Sequence, residues 1–252
     1  MAQQEPLISS ITPAACDAVI LAGGKATRLQ SVVSDRPKIL ADIGGRPFAH
    51  YLLTQLARAG FRRAVFCTGH LADMVENAIG PRWDGLEVVY SREETACDTG
   101  GALRLALSRL QAKHCVVVNG DTFLALDFAA MLAQYGSSEA AAAIALVNVD
   151  NPGRYGSVSV APNGLVTGFV EKSAAAKLAG SAPINAGVYV VPREEVAEIP
   201  AGQPLSIERD IMPLWVAKGL LAYRCSGPFI DIGTPQSYAE AQDVLALWSG
   251  LR

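Results

Sequence analysis

Short apolar runs alternate with amphipathic stretches through the first half of the chain. Asp17 to Ala22 is a compact apolar run that ends in Gly23-Gly24, the pattern of a buried strand leading into a loop. Phe48 to Ala59 places apolar residues at helical spacing, with Gly60 as its stop. Arg63 to Thr68 is a second strand, and a helix runs from about Leu71 to Ile79. Leu86 to Tyr90 is a third strand, Thr99 to Leu110 a helix opened by glycines, and His114 to Asn119 a fourth strand ending at Gly120-Asp121. Alternation at this spacing predicts repeated βαβ units. The expected fold class is α/β, with a mostly parallel sheet covered on both faces and ligands at the carboxyl ends of its strands.

The second half changes character. A helix at Phe128 to Tyr135 is followed by a strand at Ala140 to Val149 and a hairpin, Ser157 to Val160 with Val166 to Glu171, around Pro162-Asn163-Gly164. Ile184 to Val191 is another strand, Ile207 to Ala217 a helix, and Leu221 to Arg224 and Phe229 to Ile232 short strands. A closing helix at Thr234 to Leu247 has Thr234 as N-cap and Pro235 at its first position. With no linker or repeat, residues 1–252 are expected to form one domain around a continuous sheet. Its two halves, about 16–122 and about 123–252, follow a loose N-terminal tail.

Composition narrows the function classes. Half of the 252 residues are apolar, 18% are charged, and the net charge is −3. That balance argues against a nucleic-acid binder relying on a basic surface, but not against a small anionic ligand. Five scattered cysteines without a CxxC pair or Cys/His cluster argue against a disulfide framework or a structural zinc site. No signal peptide and no apolar run of about 18 residues is visible, so a cytoplasmic protein without a membrane partner is expected.

The chemistry lies at the strand ends. The loop Leu21-Ala22-Gly23-Gly24-Lys25-Ala26-Thr27-Arg28 turns tightly after a strand and can aim several backbone N–H groups at one anion. Arg28 and Lys38 add two cations. Glycines alone would be an ordinary strand–turn–helix loop; Thr27, Arg28 and Pro37-Lys38 make a phosphate site the better reading. Asn119-Gly120-Asp121 delivers a carboxylate at a strand end, and Asp231 stands at the end of another short strand. Two such aspartates suit a Mg2+ ion that bridges phosphate oxygens. Thr99-Gly100-Gly101 could let a planar base lie against backbone, or serve simply as a helix N-terminus capped by Thr99. The pair Glu171-Lys172 could meet a phosphate and sugar hydroxyls, although charged pairs at strand ends are more often solvated surface. Asn185, beside Gly187, could read a hydroxyl through paired donor and acceptor bonds.

The glycine loop resembles the signature of the sugar-phosphate nucleotidyltransferases, G-G-x-G-T-R-L followed by P-K, and the resemblance runs from about Ala18 to Val244. Arg28 to Lys38, Gly45 to Phe48 and Thr99 to Ala102 point within that family to the D-glycero-α-D-manno-heptose 1-phosphate guanylyltransferases, with mannose-1-phosphate guanylyltransferases as near relatives. The resemblance implies a Rossmann-like three-layer sandwich of the nucleotide-diphospho-sugar transferase type. It implies that a sugar 1-phosphate attacks the α-phosphorus of a nucleoside triphosphate, GTP in this branch, releasing pyrophosphate. Arg28 and Lys38 become the catalytic cations, Asp121 and Asp231 the metal ligands, and residues 21–28, 99–101 and 119–121 the nucleotide site. Lys38, Arg154-Tyr155-Gly156, Glu171, Lys172, Asn185 and Gly187 become the sugar-phosphate side. Ala26 departs from the family's third loop glycine, which leaves a non-catalytic nucleotide-sugar sensor as the rival of a different class. A nicotinamide-dependent oxidoreductase fails because Gly23-Gly24 lacks the G-x-G-x-x-G spacing. The sugar, the base and the oligomeric state, a homo-oligomer included, stay open at this point.

Overall fold

The computed structural model describes residues 11–24, 28–29, 31–150, 152, 155–170 and 180–249. Its strands are β1 (Cys16–Leu21), β2 (Asp42–Ile43), β3 (Arg46–Pro47), β4 (Arg63–Thr68), β5 (Arg82–Trp83), β6 (Leu86–Arg92) and β7 (His114–Asn119). They continue with β8 (Thr122–Leu124), β9 (Ala142–Val149), β10 (Ser157–Val160), β11 (Val166–Val170), β12 (Ala182–Pro192), β13 (Leu220–Cys225) and β14 (Phe229–Asp231). The helices are α1 (Phe48–Ala59), α2 (Ala72–Ile79), α3 (Asp98–Ala106), α4 (Phe128–Gly136), α5 (Arg193–Glu198), α6 (Met212–Lys218) and α7 (Pro235–Ser249).

Eight strands make one mixed sheet in the order β13-β9-β12-β7-β1-β4-β6-β5. β7, β1, β4 and β6 run parallel, β12 enters antiparallel between β7 and β9, and β5 closes one edge antiparallel to β6. Alternation along β1 shows why its apolar run is continuous. Ala18 and Ile20 face a core with Phe48, Leu53, Phe66 and Phe123, whereas Val19 faces a second core with Leu103, Tyr189 and Trp215. Both faces of the sheet are therefore buried, one in each core.

Several boundaries differ from the sequence reading, each for a physical reason. Phe229–Asp231 does not join the central sheet but pairs antiparallel with β8, a strand absent from the apolar pattern because it is three residues long. The stretch after Ser206 opens as a π-turn at Ile207–Ile211 before α6 begins. Met212 N–H reaches back to the Ile207 carbonyl, and Pro213 has no N–H with which to continue a regular ladder. Thr99 does not cap its own helix: α3 starts at Asp98, and the Thr99 hydroxyl accepts the Ile207 N–H at 2.8 Å. Thr234 does act as expected, accepting the Ser237 N–H at 3.3 Å while its own N–H donates to Ser237 Oγ at 3.4 Å. No helix among the described residues is long and apolar enough to cross a membrane.

Candidate active site

Register places the chemistry. Leu21 at the end of β1 pairs with Asn119 of β7 and Cys67 of β4, so three parallel strands end side by side and their following loops converge. The Gly120 N–H donates to the Leu21 carbonyl at 2.9 Å, and a Cβ at Gly120 would stand 2.6 Å from that oxygen. Glycine is needed there for the chain to cross the end of β1 and deliver Asp121.

The distant Asp231 arrives through the β8–β14 ribbon. Asp231 pairs with Thr122, and the Ile232 N–H donates to the Asp121 carbonyl at 2.9 Å, which sets the two aspartates side by side. Lys38 reaches them from a short 3-10 turn, Lys38–Leu40, whose Ile39 and Leu40 are buried. Its Nζ donates to Asp121 Oδ2 at 2.6 Å and lies 4.0 Å from Asp231 Oδ1. Thr122 Oγ1 donates to Asp121 Oδ1 at 3.1 Å, and the Gly233 N–H donates to Asp231 Oδ1 at 2.6 Å. A Cβ at Gly233 would sit 2.6 Å from Asp231 Oδ1 and 3.2 Å from Lys38 Nζ, so a glycine here leaves the carboxylates their room. Two carboxylates with hard oxygen donors match what a hard divalent cation takes from a protein. No cluster of three or more metal-ligating side chains occurs among the described residues.

Lys38, Asp121 and Gly233 border a cleft of about 880 Å³. Leu21, Ala22, Gly23, Gly24 and Arg28 line one wall, and Lys38 with Asn119, Gly120 and Asp121 forms the floor. Thr99 lines the far end. Gly100 and Gly101 do not line it. Both of their N–H groups donate to the Leu205 carbonyl, at 2.6 and 3.1 Å, and a Cβ on either would meet backbone oxygen of Leu205 or Gln203 within 3 Å. These glycines let α3 pack against residues 203–205, with both N–H groups engaged there.

Asn185 and Gly187 are placed behind the cleft floor. Asn185 donates through Nδ2 to Tyr189 Oη at 2.8 Å and accepts the Gly187 N–H at 2.9 Å, so both ends of the amide are bonded within the protein. This clasp spans an irregularity in the β12–β9 register and sets Gly187 at φ +71° against the Asn119 side chain. The ring of Tyr155 packs edge-on against Phe229 at 5.7 Å, and Gly156 turns the chain at φ +81°. Lys25, Ala26, Thr27, Arg154, Glu171 and Lys172 lie outside the described residues.

Sequence reasoning passed over an acidic rim. Glu93, Glu94, Asp98 and Glu208 also line the cleft, Glu93 against the glycine loop itself. Glu93 Oε2 accepts the Cys97 N–H at 3.2 Å and faces Cys97 Sγ at 2.8 Å, and burial together with this carboxylate pushes the Cys97 thiol up to about 12. A Cβ at Gly23 would stand 2.5 Å from Glu93 Oε1, and one at Gly69 would collide with the same side chain. Both glycines thus make room for Glu93 between two loops. Glu208 joins α3 to the π-turn: Oε2 accepts from Ser206 Oγ at 3.0 Å and from Thr99 Oγ1 at 3.3 Å, and Oε1 from Tyr189 Oη at 3.4 Å. Burial, and then the Glu208 charge, hold the Tyr189 phenol well above its ordinary range. Asp98 holds a positive φ of 59° and pairs with Arg209 at 2.9 Å. The signal for this rim was available as the pair Glu93-Glu94 directly after an apolar strand.

Known proteins align with this arrangement. A D-glycero-α-D-manno-heptose 1-phosphate guanylyltransferase from Aneurinibacillus thermoaerophilus is 32% identical over 230 residues, which cover 91% of this chain and 98% of that protein. A mannose-1-phosphate guanylyltransferase from Mycobacterium tuberculosis is 32% identical over 226 residues, 88% of this chain and 62% of that longer protein. The crystal structure of HddC from Yersinia pseudotuberculosis, also determined in complex with GMP-PN, superposes with a TM-score of 0.79 at 32% identity, covering 90% of this chain and 98% of that one. The profile of the nucleotidyl transferases matches residues 17–246, from the first core strand through nearly all of the closing helix. On that span and that identity, the chain belongs to the nucleotidyl transferase family.

Proposed function

We propose that this enzyme joins D-glycero-α-D-manno-heptose 1-phosphate to GTP, yielding GDP-heptose and pyrophosphate. The observation that carries the reading is the meeting of Lys38 with Asp121 on the lining of a cleft that also receives Arg28, with Asp231 beside them. A phosphate oxygen of the sugar 1-phosphate attacks the α-phosphorus of GTP, the bond from that phosphorus to the bridging β-phosphate oxygen breaks, and pyrophosphate leaves with the electron pair. The nucleophile is already anionic near neutral pH, so no side-chain base is needed. The obstacle is repulsion between two polyanions, and Arg28 and Lys38 offset it while the loop after β1 orients the phosphates. Asp121 and Asp231 would hold Mg2+, which supplies further charge neutralisation at the phosphate oxygens.

Acceptors on the cleft lining support guanine. Guanine presents adjacent N1–H and N2–H donors, a pattern that carboxylate acceptors such as Glu93 and Glu94 can accept, whereas uracil and thymine present one N–H flanked by two carbonyl oxygens. The GMP-PN complex of HddC and the names of the two relatives support the same choice. Mannose 1-phosphate is the second reading for the sugar, on the strength of the equal identity to the mycobacterial protein. Five unpaired thiols suit a cytoplasmic setting. The test is a matrix of GTP, ATP, UTP and dTTP against heptose, mannose and glucose 1-phosphates, read as magnesium-dependent pyrophosphate release. The reading expects GTP with the heptose phosphate to dominate. Release confined to UTP or dTTP would displace it, and nucleotide binding without release from any pair would mark a sensor.

A further inference from the structure

The Lys38 ammonium occupies the position to which Asp121 and Asp231 would draw any cation. It lies 2.6 Å from one carboxylate and 4.0 Å from the other, with only 12% of its side chain exposed. Its backbone is anchored as well. Leu40 N–H donates to the Pro37 carbonyl and Ala41 N–H to the Lys38 carbonyl, and Ile39 and Leu40 are buried on either side of that turn. The ammonium is therefore a fitted part of the acidic pair and not a surface chain that happens to fall there. A divalent ion held by the same two carboxylates would lie within a few ångström of this positive charge, and their repulsion opposes binding of the free ion. A metal ion entering alone meets the Lys38 charge uncompensated, whereas one entering with a triphosphate brings negative oxygens for metal, Lys38 and Arg28 together.

Resting on the guanylyltransferase reading, we infer that Lys38 is the resident counter-cation of the Asp121–Asp231 pair and bars free divalent ions from it. The substrate is thereby the metal–nucleotide complex, and Lys38 turns from Asp121 to a phosphate oxygen when that complex arrives. Lys38 is a selectivity residue for the form of the nucleotide, in addition to any role in screening the sugar phosphate.

The probe is Mn2+ without nucleotide, an oxygen-seeking ion whose free concentration is read directly by electron paramagnetic resonance. Wild type is expected to bind Mn2+ weakly at this pair, and Lys38→Met about tenfold or more tightly. Lys38→Gln, which keeps a donor for Asp121 but not the charge, is expected to gain as well and covers a folding failure of the methionine variant. Lys38→Arg keeps the charge and is expected to stay weak. The gain must vanish in Lys38→Met with Asp121→Asn, which assigns it to this pair and not to other surface carboxylates. Mn2+ affinity unchanged in both neutral variants, an equal gain in Lys38→Arg, or a gain that survives Asp121→Asn would each overturn the proposal. Failure of the guanylyltransferase reading shows separately, as wild type releasing no pyrophosphate or releasing it only with UTP or dTTP, and leaves the nucleotide-free measurement readable.

Discussion

Replacing Gly187 by alanine tests whether the clasp in β12 controls the cleft floor. Gly187 has φ +71°, and Gly202, in an exposed loop, has φ +72° with nothing within 4 Å of the position a Cβ would take. Alanine therefore carries the same left-handed strain at both sites, about 1–2 kcal/mol. At Gly187 the new methyl would also lie 2.9 Å from Asn119 Nδ2 and 3.1 Å from Asn119 Cβ and Cγ. The side-chain end can swing, but Cβ moves only with β7, so overpacking adds about 1–3 kcal/mol. Urea denaturation should give a loss of about 1–2 kcal/mol for Gly202→Ala and about 2–5 kcal/mol for Gly187→Ala. Asn119 lines the cleft two residues before Asp121. A shift of that strand end should therefore lower kcat/KM about tenfold to a hundredfold in Gly187→Ala and leave it near wild type in Gly202→Ala. Equal stability losses with equal activities would refute the reasoning, because they would show that contact with Asn119 neither strains the fold nor positions the floor.

Arg28→Ala should lower pyrophosphate release roughly 10²-fold with an unchanged circular-dichroism spectrum, since Arg28 is an exposed residue on the cleft wall; near-normal turnover would remove it from the chemistry. Asp231→Asn should lose most of its magnesium-dependent rate while still binding GTP, measured by titration over a range of magnesium concentrations; an unchanged magnesium response would remove Asp231 as a ligand. His50 and His114 are both held below the ordinary imidazole value of 6.5, mainly by burial and, at His50, by the Arg46 charge. The unfolded chain then takes up protons first, so the stability they contribute is present above 6.5 and lost as pH falls from there through the folded values. Denaturation at about pH 7.5 and about pH 5.5 should show this loss, and it should be smaller in a variant with glutamine at both positions.

What the sequence made legible follows from how local each cause is. The strands Arg63–Thr68 and His114–Asn119 and the helix Phe48–Ala59 match the apolar pattern end for end, because both faces of the sheet are buried and Gly60 ends the helix in a left-handed turn at φ 92°. Asp121 and Asp231 were visible as carboxylates at strand ends, but their pairing was not. It depends on the pairing of β14, legible as a short strand, with β8, a three-residue strand that the apolar pattern did not mark. Gly100 and Gly101 have a non-local partner that the sequence did not show, the Leu205 carbonyl about a hundred residues away, which takes both N–H groups. Glu93 stayed hidden for a similar reason. Its role shows only once Gly23 and Gly69, from two different loops, are seen to leave space for its side chain.

The central claim is that nucleotidyl transfer occurs at the floor where Lys38, Asp121 and Asp231 meet. Its most direct test follows the label from GTP carrying 32P at the α-phosphate, incubated with heptose 1-phosphate and magnesium and resolved by chromatography. The account predicts that the label moves into a GDP-sugar with one pyrophosphate released per labelled product, and that Asp121→Asn abolishes the transfer. Label that stays in GTP, or emerges as free GMP at the same rate without the sugar phosphate, would contradict it.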